Sequence, residues 1–507
     1  MSRILASLRS HAASQPHRPA LRDRTTTLTY RDLGSEVERL ADKLRRRSPR
    51  CVAILADNSC TWVLADLAAL VAGIPSVPLP LFFSAAQMAH VIRTAGIDML
   101  LTDQPQVAAA LLAPKVSKYT PFAGNMHAIE WATERPFEGE PGARLPIGTV
   151  KVAFTSGTTG EPKGVCLGLA ELDAVAESLR VASAASPDDR HLCLLPLSTL
   201  LENIAGVYTP LLTGATVCVP GLAEVGLAGS SGLDVKRLVG SIGEWRASTF
   251  LTVPQTLRAI VAAAQAGAHL QATLRYVAVG GAPVSSLLLA DAAALGIPVF
   301  EGFGLSECAS VVAVNRPGES RPGSVGKPLP HVRLSFAADG EILIRGPRWR
   351  GYLDGPAPRE DEQLIATGDI GHLDSDGFLY LTGRKKNIFI TSFGRNVAPE
   401  WLERELVARA PIVQAAVFGE ARPFNVAVLW CGASVAAHAI DAAVQSANET
   451  LPDYARIRHW LLADEPFTPR NDMLTANGRL RREHIGAAFS DAIAALYSET
   501  HLTEPST

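Results

Sequence analysis

Residues Lys151–Gly168 read KVAFTSGTTGEPKGVCLG, and this stretch says more about the fold than any other part of the chain. Its apolar residues predict two strands, Val152–Thr155 and Gly164–Leu167. Glycines in the loop between them let several backbone N–H groups face one anion, while hydroxyl and ammonium groups add further donors. The loop therefore suits a triphosphate, and its glycines and donors are Ser156, Gly157, Thr158, Thr159, Gly160 and Lys163.

This loop differs from the Walker loop. The spacing G-x-x-x-x-G-K-[ST] is absent, and a strand is predicted to follow the loop where a Walker loop is followed by a helix. A loop rich in Gly, Ser and Thr is also typical of a surface hairpin that binds nothing. The residues directly behind this loop, Pro162–Gly164, favour the phosphate-binding interpretation.

Short buried strands alternate with helices on both sides of the loop. This alternation predicts a layered α/β domain with several sheets. Pro75 and Pro78 favour a sheet-edge position for the strand that contains them. The predicted helices are Thr61–Ala72, Glu171–Ser183, Pro254–Ala264 and Ser286–Leu295, and the predicted strands are Ile74–Leu79, Thr216–Val219 and Tyr276–Val279.

The pattern changes after Gly323, where Asp-Gly turns between apolar runs predict two hairpins, SFAADGEILIRG and HLDSDGFLYLTGR. A basic stretch, a strand and a helix follow, with Pro399 near the first turn of that helix. The 507 residues exceed what one hydrophobic core usually organises. We therefore expect a large α/β N-terminal domain at residues 1–383 and a small, mobile α+β C-terminal domain at residues 384–507.

The composition argues against several classes of protein. Lys and Arg number 47 and Asp and Glu number 50, and this near-neutral balance argues against nucleic acid as a partner. The seven cysteines form no C-x-x-C pair, so zinc or dithiol chemistry lacks its usual spacing and a reduced, cytoplasmic protein is expected. The most apolar stretch, Val63–Phe83, contains Asp66 and three prolines, which argue against a transmembrane segment.

Five motifs, in order along the chain, resemble the superfamily of AMP-forming acyl-CoA synthetases, adenylation domains and firefly-type luciferases, the acyl-adenylate-forming enzymes. TSGTTGEPKGV resembles the signature loop of that superfamily. The resemblance covers nearly the whole chain and is closest in style to the long-chain acyl-CoA synthetases. The other four motifs are VAVGGAPV (Val277–Val284), EGFGLSE (Glu301–Glu307), TGDIG (Thr367–Gly371) and GRKKNIFITSFGRNVAPEWLE (Gly383–Glu403).

The resemblance implies an enzyme that uses ATP and Mg²⁺ to activate a small-molecule carboxylic acid. A carboxylate is a poor acyl donor, and joining it to AMP supplies a good leaving group. By the resemblance, residues 155–160 hold the phosphates, Lys163 caps their loop, and Glu307 binds Mg²⁺ beside Ser306. That loop begins at Thr155. The other ATP contacts that the resemblance implies are Gly281, Ala282, Pro283, Glu301, Gly302 and Phe303 around adenine, and Asp369 and Arg384 at the ribose.

Two further positions imply a second step. Lys386 falls at the family's hinge, which lets the small domain present one face for adenylation and another for thioester formation. Gly394 falls on the loop that would line the thiol tunnel, where glycine permits close backbone approach. The expected acceptor is the thiol of coenzyme A. The alternative is a free-standing enzyme that loads the phosphopantetheine of an acyl carrier protein in natural-product biosynthesis.

The sequence departs from the family pattern near its C-terminus. The family has a catalytic lysine in a pattern like L-T-x-x-G-K, and LTANGRLRREHI places Arg479 at that position. Arginine keeps the charge but has a bulkier, planar head. Arg479 is expected to do the work of the lysine. The alternatives are that Arg481 takes over, or that the protein binds nucleotide with weak or no adenylation.

The acid pocket is expected to have mainly small and aliphatic walls. No aspartate stands in Leu195–Gly206, where amino-acid activators often anchor an ammonium group, and Glu202 is expected to bind structural partners. Thr199 stands where histidine is common in the family. An apolar pocket favours a fatty or other aliphatic acid. The four segments expected to form the walls are Leu195–Tyr208, Phe250–Thr256, Val277–Val284 and Gly302–Val312.

Overall fold

The structure is a computed structural model that describes residues 2–112, 118–130, 145–155, 162–228, 232–270, 273–346, 349–353, 355, 364–432, 435–475 and 478–499. Packing divides the chain into two compact units. The larger unit comprises Met1–Gly281, Ala292–Leu334 and Ile344–Ile365, and the smaller comprises Ala282–Asp291, Ser335–Leu343 and Ala366–Thr507. The domain boundary expected at residue 383 stays a prediction.

The larger unit is built on two large sheets. One has nine strands in the spatial order Lys327–Pro328, Ala313–Val314, Val299–Phe303, Tyr276–Val279, Thr249–Thr252, Arg190–Leu192, Thr216–Cys218, Pro19–Arg22 and Thr27–Thr29. The other has eight strands in the order Gly351–Tyr352, Lys163–Gly168, Thr149–Thr155, Ser76–Pro78, Val52–Leu55, Met99–Thr102, Met126–Glu130 and Lys118–Ala123. A small hairpin pairs Leu227–Ala228 with Gly232–Leu233.

Helices pack between and around these sheets. Trp62 of the helix Cys60–Ala72 shares one buried core with Val165 of the eight-stranded sheet and Val217 of the nine-stranded sheet. The predicted α/β fold class is therefore confirmed. The other helices are Arg3–Ser14, Tyr30–Arg47, Ala85–Thr94, Pro105–Leu112, Leu169–Ala182, Thr209–Thr213, Val235–Glu244 and Pro254–Gln265, the π-helix Glu202–Tyr208, the 3₁₀ turns Leu222–Val225 and Ser306–Cys308, and Ser286–Ala294, which crosses a boundary between the units.

The edge position expected for the strand at Ile74–Leu79 is wrong. The strand Ser76–Pro78 lies inside its sheet, between Thr149–Thr155 and Val52–Leu55. Its two prolines are tolerated because Pro75 precedes the strand and Pro78 ends it. The flanking groups still complete the ladder, since the Pro75 carbonyl accepts from the N–H of Val52 at 3.0 Å and the N–H of Leu79 donates to Ile54 at 2.9 Å.

The smaller unit carries the predicted hairpins. Asp339–Gly340 and Asp376–Gly377 form their turns, and both glycines have a φ in the left-handed region, 83° and 82°. A four-stranded sheet has the strands Arg333–Phe336, Glu341–Arg345, Ile365–Leu373 and Leu379–Arg384. A two-stranded sheet pairs Phe389–Ile390 with Asn396–Val397, and a three-stranded sheet has the strands Gln414–Phe418, Asn425–Trp430 and Ile457–Leu462. The helices are Pro399–Val407, Ala437–Glu449, Arg482–Ala488 and Ser490–Glu499, with a 3₁₀ turn at Asp453–Ala455. Within the described residues of the chain, the structure has no helix long and apolar enough to cross a bilayer.

A buried polar cluster ties the π-helix Glu202–Tyr208 to the strand that leads into the phosphate loop. Lys151 of that strand donates to Asp66 at 2.7 Å, to the Tyr208 hydroxyl at 2.9 Å, and to Asn203. Burial lowers the pKa of Lys151, and the Asp66 carboxylate opposes that shift. Every charge here is paired, as burial requires. The cluster fixes the start of the phosphate loop relative to the π-helix.

Replacing Tyr208 with phenylalanine is expected to lower the free energy of unfolding by about 1–3 kcal/mol, because buried partners lose a hydrogen bond. The lost contacts are the donation to Asp66 at 2.5 Å and the acceptance from Lys151. Urea-induced unfolding measures the change. The control is Tyr454→Phe, because that residue is 44% exposed and its variant should unfold like the parent protein. Equal midpoints for both variants would contradict the expectation.

Candidate active site

The phosphate loop is carried by an antiparallel hairpin of the strands Thr149–Thr155 and Lys163–Gly168. Thr155 lies directly opposite Lys163, so these two residues flank the mouth of the loop. Lys163 is exposed, which leaves its ammonium group accessible to a ligand. The predicted phosphate ligands Ser156, Gly157, Thr158, Thr159 and Gly160 lie outside the described residues.

Glu307 lies beside the strand that follows this loop. The strand Gly351–Tyr352 pairs with that strand, with Tyr352 opposite Val165. The Tyr352 hydroxyl donates to Oε1 of Glu307 at 2.7 Å, and burial together with Glu307 raises the pKa of Tyr352. The structure therefore brings Glu307 to the hairpin, as the assigned roles require. Tyr352 itself was not predicted.

The backbone around Glu307 forms a tight turn that only glycine permits at residue 304. A Cβ on Gly304 would lie 1.5 Å from the carbonyl oxygen of Ser310. Ala309 and Ser310 have φ angles of 52° and 98°, in the left-handed region that side chains disfavour. Strained backbone of this kind is common at functional sites. The turn presents Ser306 and Glu307 side by side on the 3₁₀ turn Ser306–Cys308.

The residues expected around adenine meet at one sheet edge in the larger unit. The strands Tyr276–Val279 and Val299–Phe303 are parallel neighbours, with Val279 opposite Glu301. Gly281, with a φ of 86°, and Gly302–Phe303 therefore lie at adjacent carboxyl ends, where α/β sheets bind ligands. Ala282 and Pro283 follow in sequence but pack with the smaller unit.

The ribose pair lies in the smaller unit. Asp369 and Arg384 are opposite each other in the hairpin of Ile365–Leu373 and Leu379–Arg384. The Arg384 Nε is 2.9 Å from Oδ1 of Asp369, so the guanidinium orients the carboxylate. The pKa of Asp369 is raised above its usual value, because the effect of burial outweighs the opposing positive charges of Arg384 and Arg479.

Two hydrogen bonds join Arg479 to Thr475. The N–H of Thr475 donates to the Arg479 carbonyl at 2.8 Å, and the N–H of Arg479 donates to the Thr475 hydroxyl at 3.1 Å. Burial, Arg384 and Arg479 together lower the pKa of the predicted hinge residue Lys386. Arg481 instead forms an ion pair with Asp472. Of the two arginines considered for the missing lysine, Arg481 is thus engaged with Asp472, and the role expected of Arg479 stays a prediction.

The loop expected to line the thiol tunnel is a short hairpin. It connects Phe389–Ile390 to Asn396–Val397, and Gly394 turns the chain with a φ of 71°. A Cβ on Gly394 would meet no atom within 4 Å, so the backbone there is open to close approach. Phe393 beside it is 74% exposed.

The expected acid-pocket segments include or follow the carboxyl ends of four neighbouring parallel strands of the nine-stranded sheet, so their residues at these strand ends, as far as Gly281 in Val277–Val284, lie along one edge. Glu202 is fully buried there and has the structural partners predicted for it. It accepts from the N–H of Leu195 at 2.9 Å and lies 3.0 Å from Nε2 of His191. Side-chain ligand atoms of His191, Cys193 and Glu202 lie within 4.8 Å of one another, and hydrogen bonds within the core already engage Glu202 and His191.

Two family models match the chain. Residues 8–353 match the AMP-binding enzyme family, and residues 386–501 match the AMP-binding enzyme C-terminal domain. The chain belongs to the AMP-binding enzyme family. The resemblance and the enzyme class predicted from the sequence are therefore confirmed.

Curated relatives of this AMP-binding enzyme include CoA ligases of different acids. A long-chain-fatty-acid–CoA ligase of Mycobacterium bovis is 28% identical over 88% of this chain and 88% of its own length. A 2-succinylbenzoate–CoA ligase of Bacillus subtilis is 27% identical over 81% of this chain and 84% of its own length.

Solved structures share the fold of this AMP-binding enzyme. An anthranilate CoA ligase in complex with anthranoyl-AMP has a TM-score of 0.78 at 19% identity, covering 97% of this chain and 98% of that chain. An o-succinylbenzoate CoA synthetase of Bacillus subtilis, in complex with ATP and a magnesium ion, has a TM-score of 0.73 at 23% identity, covering 94% and 98%.

Proposed function

We propose that this AMP-binding enzyme activates a fatty or other aliphatic carboxylic acid with ATP, forms an acyl-AMP, and transfers the acyl group to the thiol of coenzyme A. The observation that carries the proposal is the position of Glu307, held by Tyr352 beside the strand that follows the phosphate loop. The relatives named above, at 27–28% identity, support the same reaction type. The buried free cysteines support a reducing, cytoplasmic setting.

Adenylation brings two anions together. An oxygen of the acid attacks the α-phosphorus of ATP, and the bond from that phosphorus to the bridging oxygen of pyrophosphate breaks. In this proposal the loop after Thr155 binds the β- and γ-phosphates and Lys163 adds positive charge. Groups fixed in place beforehand stabilise the charge on the leaving pyrophosphate without reorganising.

The residues at Glu307 fit Mg²⁺. Tyr352 donates to Oε1 of Glu307, and Oε2 together with the neighbouring Ser306 hydroxyl adds hard oxygen groups of the kind that Mg²⁺ prefers. Mg²⁺ is commonly bound by one or two carboxylates together with substrate phosphates. When bound, the ion neutralises charge on the phosphates of ATP. Glu307 would hold the ion, and Tyr352 would keep its carboxylate oriented.

In this proposal the smaller unit supplies the contact to the ribose and a positively charged side chain, Arg479, in addition to Lys163. Asp369 accepts the ribose hydroxyls, and Arg384 holds its carboxylate in place. Arg479, at the position of the family's catalytic lysine, neutralises charge where the acid meets the α-phosphate. Lys386 serves as the hinge, and the loop at Gly394 lines the path of the thiol.

The chemistry of the acid pocket supports an aliphatic acid. Glu202, the carboxylate in the pocket segment Leu195–Gly206, is buried and committed to His191 and to the N–H of Leu195. It therefore leaves no anchor in that segment for the ammonium group of an amino acid. The Thr199 hydroxyl donates to the Pro196 carbonyl at 2.7 Å, so this polar group is also engaged within the segment.

A product assay tests this function. The purified chain is incubated with ATP, Mg²⁺, coenzyme A and saturated fatty acids of graded length, and mass spectrometry measures AMP and acyl-CoA. We expect both products in equal amounts with at least one aliphatic acid. A parallel reaction replaces coenzyme A with a phosphopantetheinylated acyl carrier protein. Thioester on the carrier protein alone would overturn the choice of coenzyme A, and no thioester on either acceptor would overturn the function.

Replacing Asp369 with asparagine is expected to raise the KM for ATP roughly tenfold, because a hydrogen bond from a ribose hydroxyl to a charged acceptor becomes a neutral one. The KM is obtained from the rate of acid-dependent exchange of labelled pyrophosphate into ATP, measured at graded ATP concentrations. Asp376→Asn is the matched control, since that carboxylate is exposed in the turn of the same hairpin. Equal KM values for the two variants would remove Asp369 from the ribose site.

A further inference from the structure

A buried ion pair joins two helices of the smaller unit. Nη2 of Arg482, the first residue of the helix Arg482–Ala488, lies 2.7 Å and 2.8 Å from the two carboxylate oxygens of Glu403. Glu403, in the helix Pro399–Val407, is 6% exposed and also accepts the N–H of Val417 at 2.8 Å. Both carboxylate oxygens are therefore bound, and the pair has one well-defined geometry.

Arg482, the cation of this ion pair, lies three residues after Arg479 in the sequence. A β-bridge joins Leu474 to Leu480, the residue after Arg479, and the N–H of Arg481 donates to the Met473 carbonyl at 2.9 Å. The chain runs from these contacts directly into Arg482. The anchoring of Arg482 therefore constrains where Arg479 lies within the smaller unit.

The helix that receives Arg482 also connects to the segment around the predicted hinge. Its Glu400 lies 3.8 Å from Nη1 of Arg482 and accepts a hydrogen bond from Asn387, the residue after Lys386. The charge of Glu400 acts on the pKa of both Asp369 and Lys386. One arginine thus links the Arg479 loop to the helix beside the hinge residue.

We infer that Arg482, anchored by Glu403, is a positioning residue that holds Arg479 in the orientation needed for adenylation. The inference rests on the proposed function. A buried ion pair adds little net stability compared with an apolar pair of similar volume, so its geometry is the better explanation for its presence. Arg482 is expected to matter for forming the acyl-AMP and to matter little for transferring the acyl group to the thiol.

The two half-reactions are measured separately. Adenylation is followed by acid-dependent exchange of labelled pyrophosphate into ATP, and transfer by the reaction of preformed acyl-AMP with coenzyme A. For the double variant Arg482→Met/Glu403→Met we expect the kcat of exchange to fall about 10- to 100-fold, as misplacement of a reacting group by about 1 Å does. The KM for ATP and the transfer rate should stay within about threefold of the parent values.

Two further variants keep the test decisive. Arg482→Lys retains the charge without the planar fork, and it is expected to show a smaller loss confined to exchange. It replaces the double variant if the latter fails to fold. The matched control is Glu405→Met/Arg409→Met, which removes a second ion pair, 3.3 Å long, between the same helix and a residue two positions past its end, and which should leave both half-reactions unchanged.

Two results would contradict the positioning role of Arg482. Full exchange activity in the Arg482 variants, or equal losses in both half-reactions, would overturn the positioning role and assign the pair to stability alone. The parent protein separates this failure from that of the proposed function. If it catalyses neither exchange nor transfer, the proposed function is wrong; if it catalyses both and the variants do not split them, only the positioning inference is wrong.

Discussion

Arg479→Ala is expected to lower acid-dependent pyrophosphate exchange by about 10²- to 10³-fold, the typical cost of removing one electrostatic stabiliser of a transition state. The reason is that Arg479 stands where the family has its catalytic lysine, and its positive charge helps to lower the pKa of Asp369, the predicted ribose ligand. Transfer from preformed acyl-AMP to coenzyme A should change by less than about threefold, because pyrophosphate has already left. Rates of both half-reactions at saturating substrate give the comparison.

Two further variants, Arg479→Lys and Arg481→Ala, test whether the required positive charge comes from residue 479. Lysine, the residue of the family pattern, should retain most of the exchange rate because it supplies the same charge with a smaller head. Arg481→Ala should leave exchange within about threefold, since Arg481 is paired with Asp472. A large loss in Arg481→Ala, with none in Arg479→Ala, would transfer the catalytic role to Arg481.

Glu307→Gln is the second change with a large expected effect. The amide keeps the shape of the side chain and can still accept from Tyr352, but it no longer offers a charged oxygen to Mg²⁺. We expect exchange to fall about 10²- to 10³-fold, and raising the Mg²⁺ concentration should recover part of the loss. Exchange rates across a Mg²⁺ titration measure both effects.

The control for Glu307 is Glu319→Gln. Glu319 forms surface ion pairs with Arg316 and Lys327, so its loss should cost little. An identical Mg²⁺ dependence in Glu307→Gln and the parent protein would show that this carboxylate does not bind the ion.

Local sequence predicted the elements that carry the site. The strand Tyr276–Val279 has the predicted bounds, and both Asp-Gly hairpins form with their glycines in the left-handed region. These features depend on residues close together in sequence, through alternation and turn chemistry. The pairing of Thr155 with Lys163 follows in the same way, because the loop and its two strands are contiguous.

Long-range contacts could not be predicted. Tyr352 lies 45 residues from Glu307, and its strand Gly351–Tyr352 is too short to leave an alternating pattern. The partners of Lys151 come from a distant helix and from the π-helix, and Arg482 reaches Glu403 across 79 residues. Such polar contacts are fixed by tertiary packing, on which residue type and spacing along the chain carry little information.

The most direct test of the central claim, that this site joins an acid to AMP, is acid-dependent exchange of labelled pyrophosphate into ATP by the unaltered chain. Exchange requires reversible formation of an acyl-AMP and needs no thiol, so it isolates the chemistry assigned to the phosphate hairpin, Glu307 and Arg479. We expect label in ATP only when Mg²⁺ and an aliphatic acid are both present. ATP binding without exchange, across acids of all chain lengths, would contradict the account and leave a nucleotide-binding protein.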